Sequence, residues 1–372
     1  MYKVHEIPVN CILEIVVVIC SGRLCAVLII IVHYKVHIIK NSVCDCRTNM
    51  TDENTTDPDY YDLYYEDQMC KKDEVVKVGS IIIPLFFSLV VVLSCIGNIL
   101  VLVILALYKN IKSLTNVFIL NLALSNLLFT FGLPFWASYF IWGWTFGEIG
   151  CKAVKFLFYV GFYSSVLFLT LMTIQRYMAV VHPLSDWEKC RGFSVAPFIV
   201  WILSGAVSLL GSFNSKVIPH FNSTYCEYDS VEIKSGIAYF QNAFFCIAFL
   251  IMGFCYGRML WTITKKQAKK RHKTVRLTFV IVLVFFIGWA PYNIVMFLKS
   301  LTDQNIHPFT VCTVSIRLDY AYYACRMLAF THCCLNPAFL FFVDARFRNN
   351  LRATQRRVLC KDLSLCFTWQ DT

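Results

Sequence analysis

Apolar residues fall along this chain in long blocks, divided by short stretches in which the charges are concentrated. The blocks run from Ser80 to Leu107, Thr115 to Ile141, Cys151 to Val181, Ser194 to Phe213, Gly236 to Thr264, Val275 to Leu301 and Phe309 to Val343. Each is long enough for the roughly 20 helical residues that cross a hydrocarbon layer of about 30 Å. In lipid every backbone N–H and C=O must be satisfied within its own segment or in a closed barrel. Barrel strands are about ten residues long with strict alternation, and no such alternation occurs here. The pattern therefore predicts an all-α bundle of seven membrane-spanning helices occupying residues 80–343.

Composition agrees, since 58% hydrophobic and only 15% charged residues over 372 positions exclude an ordinary water-soluble domain. Charge sets the orientation. Lys109 and Lys112 lie in the first loop, seven basic residues lie between Lys265 and Arg276, and more follow in the tail from Arg346 to Lys361. Lysine and arginine mark cytoplasmic loops. The segment from Thr51 to Glu74 instead carries nine acidic residues against Lys71 and Lys72. Residues 50–79 are thus expected to form an extracellular acidic arm, and residues 344–372 a cytoplasmic tail. The net charge of +11 is mostly this cytoplasmic excess and implies no nucleic-acid partner. The sequons at Asn49, Asn54 and Asn222 all fall on the expected outer side, where glycosylation is open to them.

Residues 1–49 stand apart. The run from Cys11 to Val32 is broken by Glu14 and by Ser21, Gly22 and Arg23, which makes a poor span and an untidy signal peptide. Two readings remain open: a targeting segment, or a gene-model extension ahead of a natural start at Met50.

Many of the 18 cysteines lie within spans, where a thiol behaves as a small hydrophobe. Cys151 and Cys226 both face the oxidising side, and a bridge between them would pin the loop between the fourth and fifth spans over the bundle. Cys70 and Cys312 are either a second bridge, closing the bundle into a ring, or two free thiols. Cys360 and Cys366 are candidate palmitoylation sites, with plain thiols as the alternative.

The polar residues inside the spans carry a resemblance. Gly97-Asn98, LNLALSN ending at Asn126, Cys151 followed by QRY at 175–177, Trp201, Tyr256, GWAPYN from Gly288 and NPAFL from Asn336 together resemble a rhodopsin-class G-protein-coupled receptor. The likeness extends to a short amphipathic helix after the seventh span (VDARFRNNLR). WGWTFGEIGCK, LPFWASY, KKRHKTVRL and AFTHCCLNP are similar to chemokine receptors, and DYAYYACRMLAFTHCC looks most like their XC type.

That resemblance implies a multi-pass plasma-membrane receptor with an extracellular N-terminus, for an XC-type or CC-type chemokine. It would signal through an inhibitory-class heterotrimeric G protein to drive chemotaxis, with arrestin a further partner, membrane lipid around the spans and no cofactor. The stretch DPDYYDLYYED places Tyr60, Tyr61, Tyr64 and Tyr65 among Asp59, Asp62 and Glu66, a flexible anionic strip suited to a basic partner and to tyrosine sulfation. The ligand's N-terminus would enter near Trp136, Phe158, Tyr163, Tyr292 and Arg326. A buried cation needs an anionic partner, so Arg326 is expected to meet either Asp319 or an acid from the ligand.

Several positions depart from the family in one pathway. Arg176, costly in lipid unless it faces the bundle or the cytoplasm, would be held by an adjacent acid in the family, and here its neighbour is Gln175. Asn126 stands where the family has an aspartate that binds sodium among spans two, three and seven, the seventh being the span that carries Asn336-Pro337. Leu340 stands where a tyrosine would swing toward Tyr256, and Ala248 where the fifth span would have a proline. Trp289 and Pro291 remain to permit hinging, and Tyr177 completes the inner motif. The alternative implied is a decoy receptor that binds and removes chemokine. An enzyme reading finds no support, because His332, Cys333 and Cys334 on one helix do not converge on a metal, and a transporter reading lacks internal repeats.

Overall fold

The computed structural model describes residues 72–108, 113–182, 191–220, 223–266, 272–343 and 349. Its helices are α1 (Asp73–Tyr108), α2 (Leu114–Trp142), α3 (Gly147–Val181), α4 (Arg191–Phe213), α5 (Val231–Lys266), α6 (His272–Asp303), α7 (Cys312–Phe330) and α8 (His332–Val343). Six of these, α1 to α6, are long and apolar enough to cross a membrane. The seventh crossing is made by α7 and α8 end to end, and its first half carries Arg317, Asp319 and Arg326.

The helices outrun the apolar blocks that predicted them. α1 begins at Asp73 and α5 at Val231, ahead of Ser80 and Gly236. Hydropathy marks where lipid ends, whereas a helix continues while its hydrogen-bond ladder is satisfied. The seventh block was expected as one helix from Phe309 and is two, meeting at Thr331, whose hydroxyl bonds the Leu328 carbonyl. α5 is continuous through Ala248, as the missing proline leads one to expect.

One element is not helical. Ser215–His220 (β1) and Ser223–Tyr228 (β2) pair antiparallel, with Val217 opposite Cys226. The sequence pattern predicts only a loop here. A segment tethered across the helix ends has backbone groups with no helix to satisfy them, and two strands pairing with each other satisfy both. The tether is the Cys151–Cys226 disulfide, with Cα atoms 5.7 Å apart. The Trp144 N–H donating to the Thr224 carbonyl at 2.7 Å fixes the hairpin from a second side.

Small residues set the closest helix approaches. At Gly161 of α3 a Cβ would stand 2.4 Å from the Phe129 backbone nitrogen of α2, so no side chain fits without parting the helices. At Gly97 of α1 it would stand 2.7 Å from Pro337 Cγ of α8.

Candidate functional site

At the disulfide end, α2, α3, α6 and α7 bring together four of the five residues expected around a ligand. Trp136, Phe158 and Tyr292 are buried, and Phe158 lies 6.2 Å from Trp136 and 5.2 Å from Phe330 between ring centres. The Arg326 guanidinium stands 5.3 to 5.9 Å from the ring centres of Phe330, Trp136, Phe140, Phe87 and Tyr322. That is an aromatic enclosure within cation–π range. Its Nε has no hydrogen-bond partner among the described residues.

Asp319 does not serve Arg326. Its carboxylate takes Lys72 at 2.7 Å and Lys299 on its other oxygen, and Lys72 also donates to Ser315 at 2.7 Å. This cluster joins the start of α1 to α6 and α7. It was not visible in the sequence, because Lys72 lies more than 200 positions from Lys299, Ser315 and Asp319.

Beside it is a cavity of about 110 Å³ lined by Tyr159, Tyr228, Lys234, Gln241, Tyr292 and Tyr322, among others. Lys234 is paired with Asp303 at 2.8 Å across α5 and α6. The Tyr159 and Tyr228 hydroxyls are 2.9 Å apart. Burial holds the Tyr228 hydroxyl well above a tyrosine's ordinary value, so it stays protonated. Lys155, which sequence reading missed, is buried under the hairpin, donating to Ser215 Oγ at 3.1 Å and lying 3.9 Å over the Tyr228 ring. Tyr163 lies elsewhere: it packs on Phe240 and Phe244 of α5 and lines a separate cavity against α4.

Below these residues Trp289 is buried, with Phe162 at 4.3 Å, His332 at 5.2 Å and Tyr292 at 5.5 Å between ring centres. Pro291 lies within the continuous α6, one residue before Tyr292. Tyr292 and, at 6.0 Å, Phe330 both lie against the indole.

Next comes a polar network. Asn126 Oδ1 accepts from Ser165 at 3.2 Å and from Asn336 at 3.4 Å, and its Nδ2 donates to Asn98 Oδ1 at 3.1 Å. Asn98 donates in turn to the carbonyls of Ser94 and Cys333, both at 2.8 Å. The network is built of neutral groups throughout.

At the far end, Gln175 Nε2 and Arg176 Nη2 both donate to Thr115 Oγ1 of α2, at 2.9 and 3.3 Å. Thr115 was not singled out from the sequence; a threonine at a helix start reads there as a cap. Tyr177 packs on His182 and Phe254, and Tyr256 packs edge-on against Phe279 at 5.1 Å. Leu340 falls in α8.

Cys312 is disulfide-bonded, and among the other described cysteines only Cys151 and Cys226 form a disulfide. Its partner is therefore outside the described residues, as is Cys70. Asn49, Asn54, Asn222, the strip from Asp59 to Glu66, the amphipathic helix after the seventh span, Cys360 and Cys366 also lie outside them.

Comparison with known proteins matches residues 97–340 to the family "7 transmembrane receptor (rhodopsin family)". Chemokine XC receptor 1 of Homo sapiens is 39% identical over 302 residues, covering 80% of this chain and 87% of the relative. Chemokine XC receptor 1 of Mus musculus is 38% identical over 310 residues, covering 82% and 92%.

Proposed function

The chain belongs to the rhodopsin family of seven-transmembrane receptors, and within it to the chemokine receptors, and on that premise we propose that it is an XC-type receptor of the plasma membrane. Its N-terminal arm faces outward, and it signals through an inhibitory-class G protein to direct cell migration. Receptors of this family bind chemokines, act on G proteins and are not enzymes.

The observation that carries the ligand reading is Arg326. A guanidinium enclosed by five rings, with Asp319 already committed to Lys72 and Lys299, is a receptor for an anionic group delivered from outside. An acidic side chain near a chemokine's N-terminus supplies that group. The acidic, tyrosine-rich arm holds the basic core of the same ligand by long-range attraction. Movement at Arg326 reaches Trp289 through Phe330 and Tyr292, and Trp289 stands above the Asn126 network and the Arg176 end.

A second reading is favoured by the Arg176 end itself. Gln175 offers no ion pair, Asn126 no charge and Leu340 no hydroxyl, so a receptor that binds and removes chemokine without signalling is its natural alternative. The deciding experiment displays the chain from Met50 on cells and records labelled XC-type chemokine binding together with ligand-stimulated G-protein activation. Binding with activation supports the signalling receptor. Binding without activation replaces it by the decoy, and absence of XC-type binding with CC-type binding present overturns the ligand assignment.

A further inference from the structure

Three ion pairs chain the outer ends of four helices. Lys234 to Asp303 joins α5 to α6, Lys299 to Asp319 joins α6 to α7, and Asp319 to Lys72 joins α7 to the start of α1. Two of the three lysines, Lys234 and Lys299, also line the cavity beside Tyr292. They differ in what they would leave behind if drawn off. Among the described residues Lys234 is the one ionic partner of Asp303, so its departure would strand a partly buried carboxylate. Asp319 instead divides its oxygens, Oδ2 taking Lys72 at 2.7 Å and Oδ1 taking Lys299. If Lys299 leaves, Lys72 still covers the charge, and a buried carboxylate is not left bare. Lys299 is therefore the lysine that moves at low cost.

Its surroundings say what would draw it. The Lys299 ammonium lies 4.9 Å from the centre of the Tyr322 ring, and the Arg326 guanidinium lies 5.9 Å from the centre of the same ring. Two cations thus share one aromatic side chain in the cavity wall, and only Lys299 has a carboxylate on it among the described residues. The cluster of Lys72, Lys299 and Asp319 holds two ammonium groups against one carboxylate, which leaves one positive charge in excess. An acid arriving from outside would make the cluster neutral. We propose that Lys299 is a second anion-reading residue and that Asp319 is its internal competitor: an acidic group of the incoming peptide, distinct from the one on Arg326, takes Lys299 in exchange for Asp319, which keeps Lys72. This rests on the anionic peptide ligand proposed above.

The test is equilibrium binding of labelled XC-type chemokine, with a CC-type chemokine as the second probe, to cells displaying the chain and its variants at matched surface density. Asp319→Asn and Lys299→Gln break the same ion pair, so a strut alone predicts that both weaken binding. Exchange predicts opposite signs. Asp319→Asn tightens binding roughly fivefold, the weight of one partly exposed ion pair, and Lys299→Gln weakens it roughly tenfold, because the ligand's acid is left without a partner. The gain from Asp319→Asn vanishes in the Lys299→Gln background, where there is no lysine left to release, and Lys299→Arg recovers most of the loss. Asp319→Ser repeats the Asp319→Asn arm with a smaller neutral side chain wherever the amide lowers surface density. Weakening by both single variants, or a gain from Asp319→Asn that persists without Lys299, overturns the proposal. Failure of the unaltered chain to bind either chemokine is a different result: it removes the ligand reading, and this proposal with it.

Discussion

Arg326 and Asp319 stand seven residues apart on α7 and do not pair: Asp319 is bound to Lys72 and Lys299, and Arg326 is left facing aromatic rings. Ion pairs along one helix join residues three or four apart, and seven residues put about 10.5 Å of rise between these two. Their separation makes one a strut between α1, α6 and α7 and, on the function proposed, leaves the other to read incoming charge.

Removing that reader should weaken chemokine binding. Arg326→Leu is expected to lower affinity about 10- to 100-fold, the range of a charged hydrogen bond worth roughly 1.5–3 kcal/mol. Arg326→Lys should recover only part of the loss, because an ammonium does not stack on the rings as a guanidinium does. Equilibrium binding on cells matched for surface expression measures both, and unchanged affinity in Arg326→Leu would remove it from the site.

The Cys151–Cys226 bridge spans a separation of 75 residues and fixes the hairpin over the bundle. Cys151→Ser or Cys226→Ser should lose surface expression or ligand binding, in line with the roughly 2–5 kcal/mol that native disulfides contribute to small domains. Antibody staining of intact cells alongside ligand binding separates the two effects.

Gln175 and Arg176 share one neutral acceptor, Thr115. Gln175→Glu places a carboxylate beside the guanidinium and should lower basal G-protein activity. Thr115→Val removes the shared acceptor and should raise it. Each 1.4 kcal/mol is about a tenfold change in the ratio of states, so even a modest hydrogen bond gives a measurable shift. Ligand-free nucleotide exchange with a co-expressed inhibitory-class G protein is the assay, and opposite signs for the two variants are the expected result.

The Asn126 network has oxygen acceptors but no charge. Asn126→Asp puts a carboxylate among Ser165, Asn336 and Asn98, and should create a dependence of agonist affinity on sodium that the parent chain lacks. Binding curves in sodium and in a bulky organic cation at equal ionic strength decide it.

Replacing Tyr60, Tyr61, Tyr64 and Tyr65 together by Phe should weaken chemokine binding. If these tyrosines carry sulfate, the salt dependence of binding becomes shallower as well, because long-range attraction is screened by ions. Affinity that is unchanged at every ionic strength would take the arm out of the recognition surface.

The sequence disclosed the spans, and it pointed to Trp136, Phe158, Tyr292 and Arg326 as neighbours, because membrane helices advertise themselves by apolar length and the family motifs fix which faces converge. It did not disclose the Lys72–Asp319–Lys299 cluster, the burial of Lys155 or the role of Thr115. Those depend on which ends of distant helices meet, and no local periodicity encodes that. Tyr163 shows the same limit from the other direction. Its place on α3 is one turn from Tyr159, yet Tyr159 lines both the cavity beside Tyr292 and the one against α4, whereas Tyr163 lines only the second of these. The hairpin was hidden for another reason: its strands are too short and too mixed in polarity to stand out, and the disulfide does much of the work of holding them.

Gly161 and Phe129 meet backbone to backbone, while α5 and α6 meet through aromatic rings, Phe286 lying 5.1 Å from Phe245, tilted, and 4.7 Å from Phe249, edge-on. A backbone seat locks register; ring edges can slide past one another with little change in contact. The two contacts differ in slack: between α2 and α3 not even a methyl group can be added at Gly161, whereas α5 and α6 are held apart by whole rings.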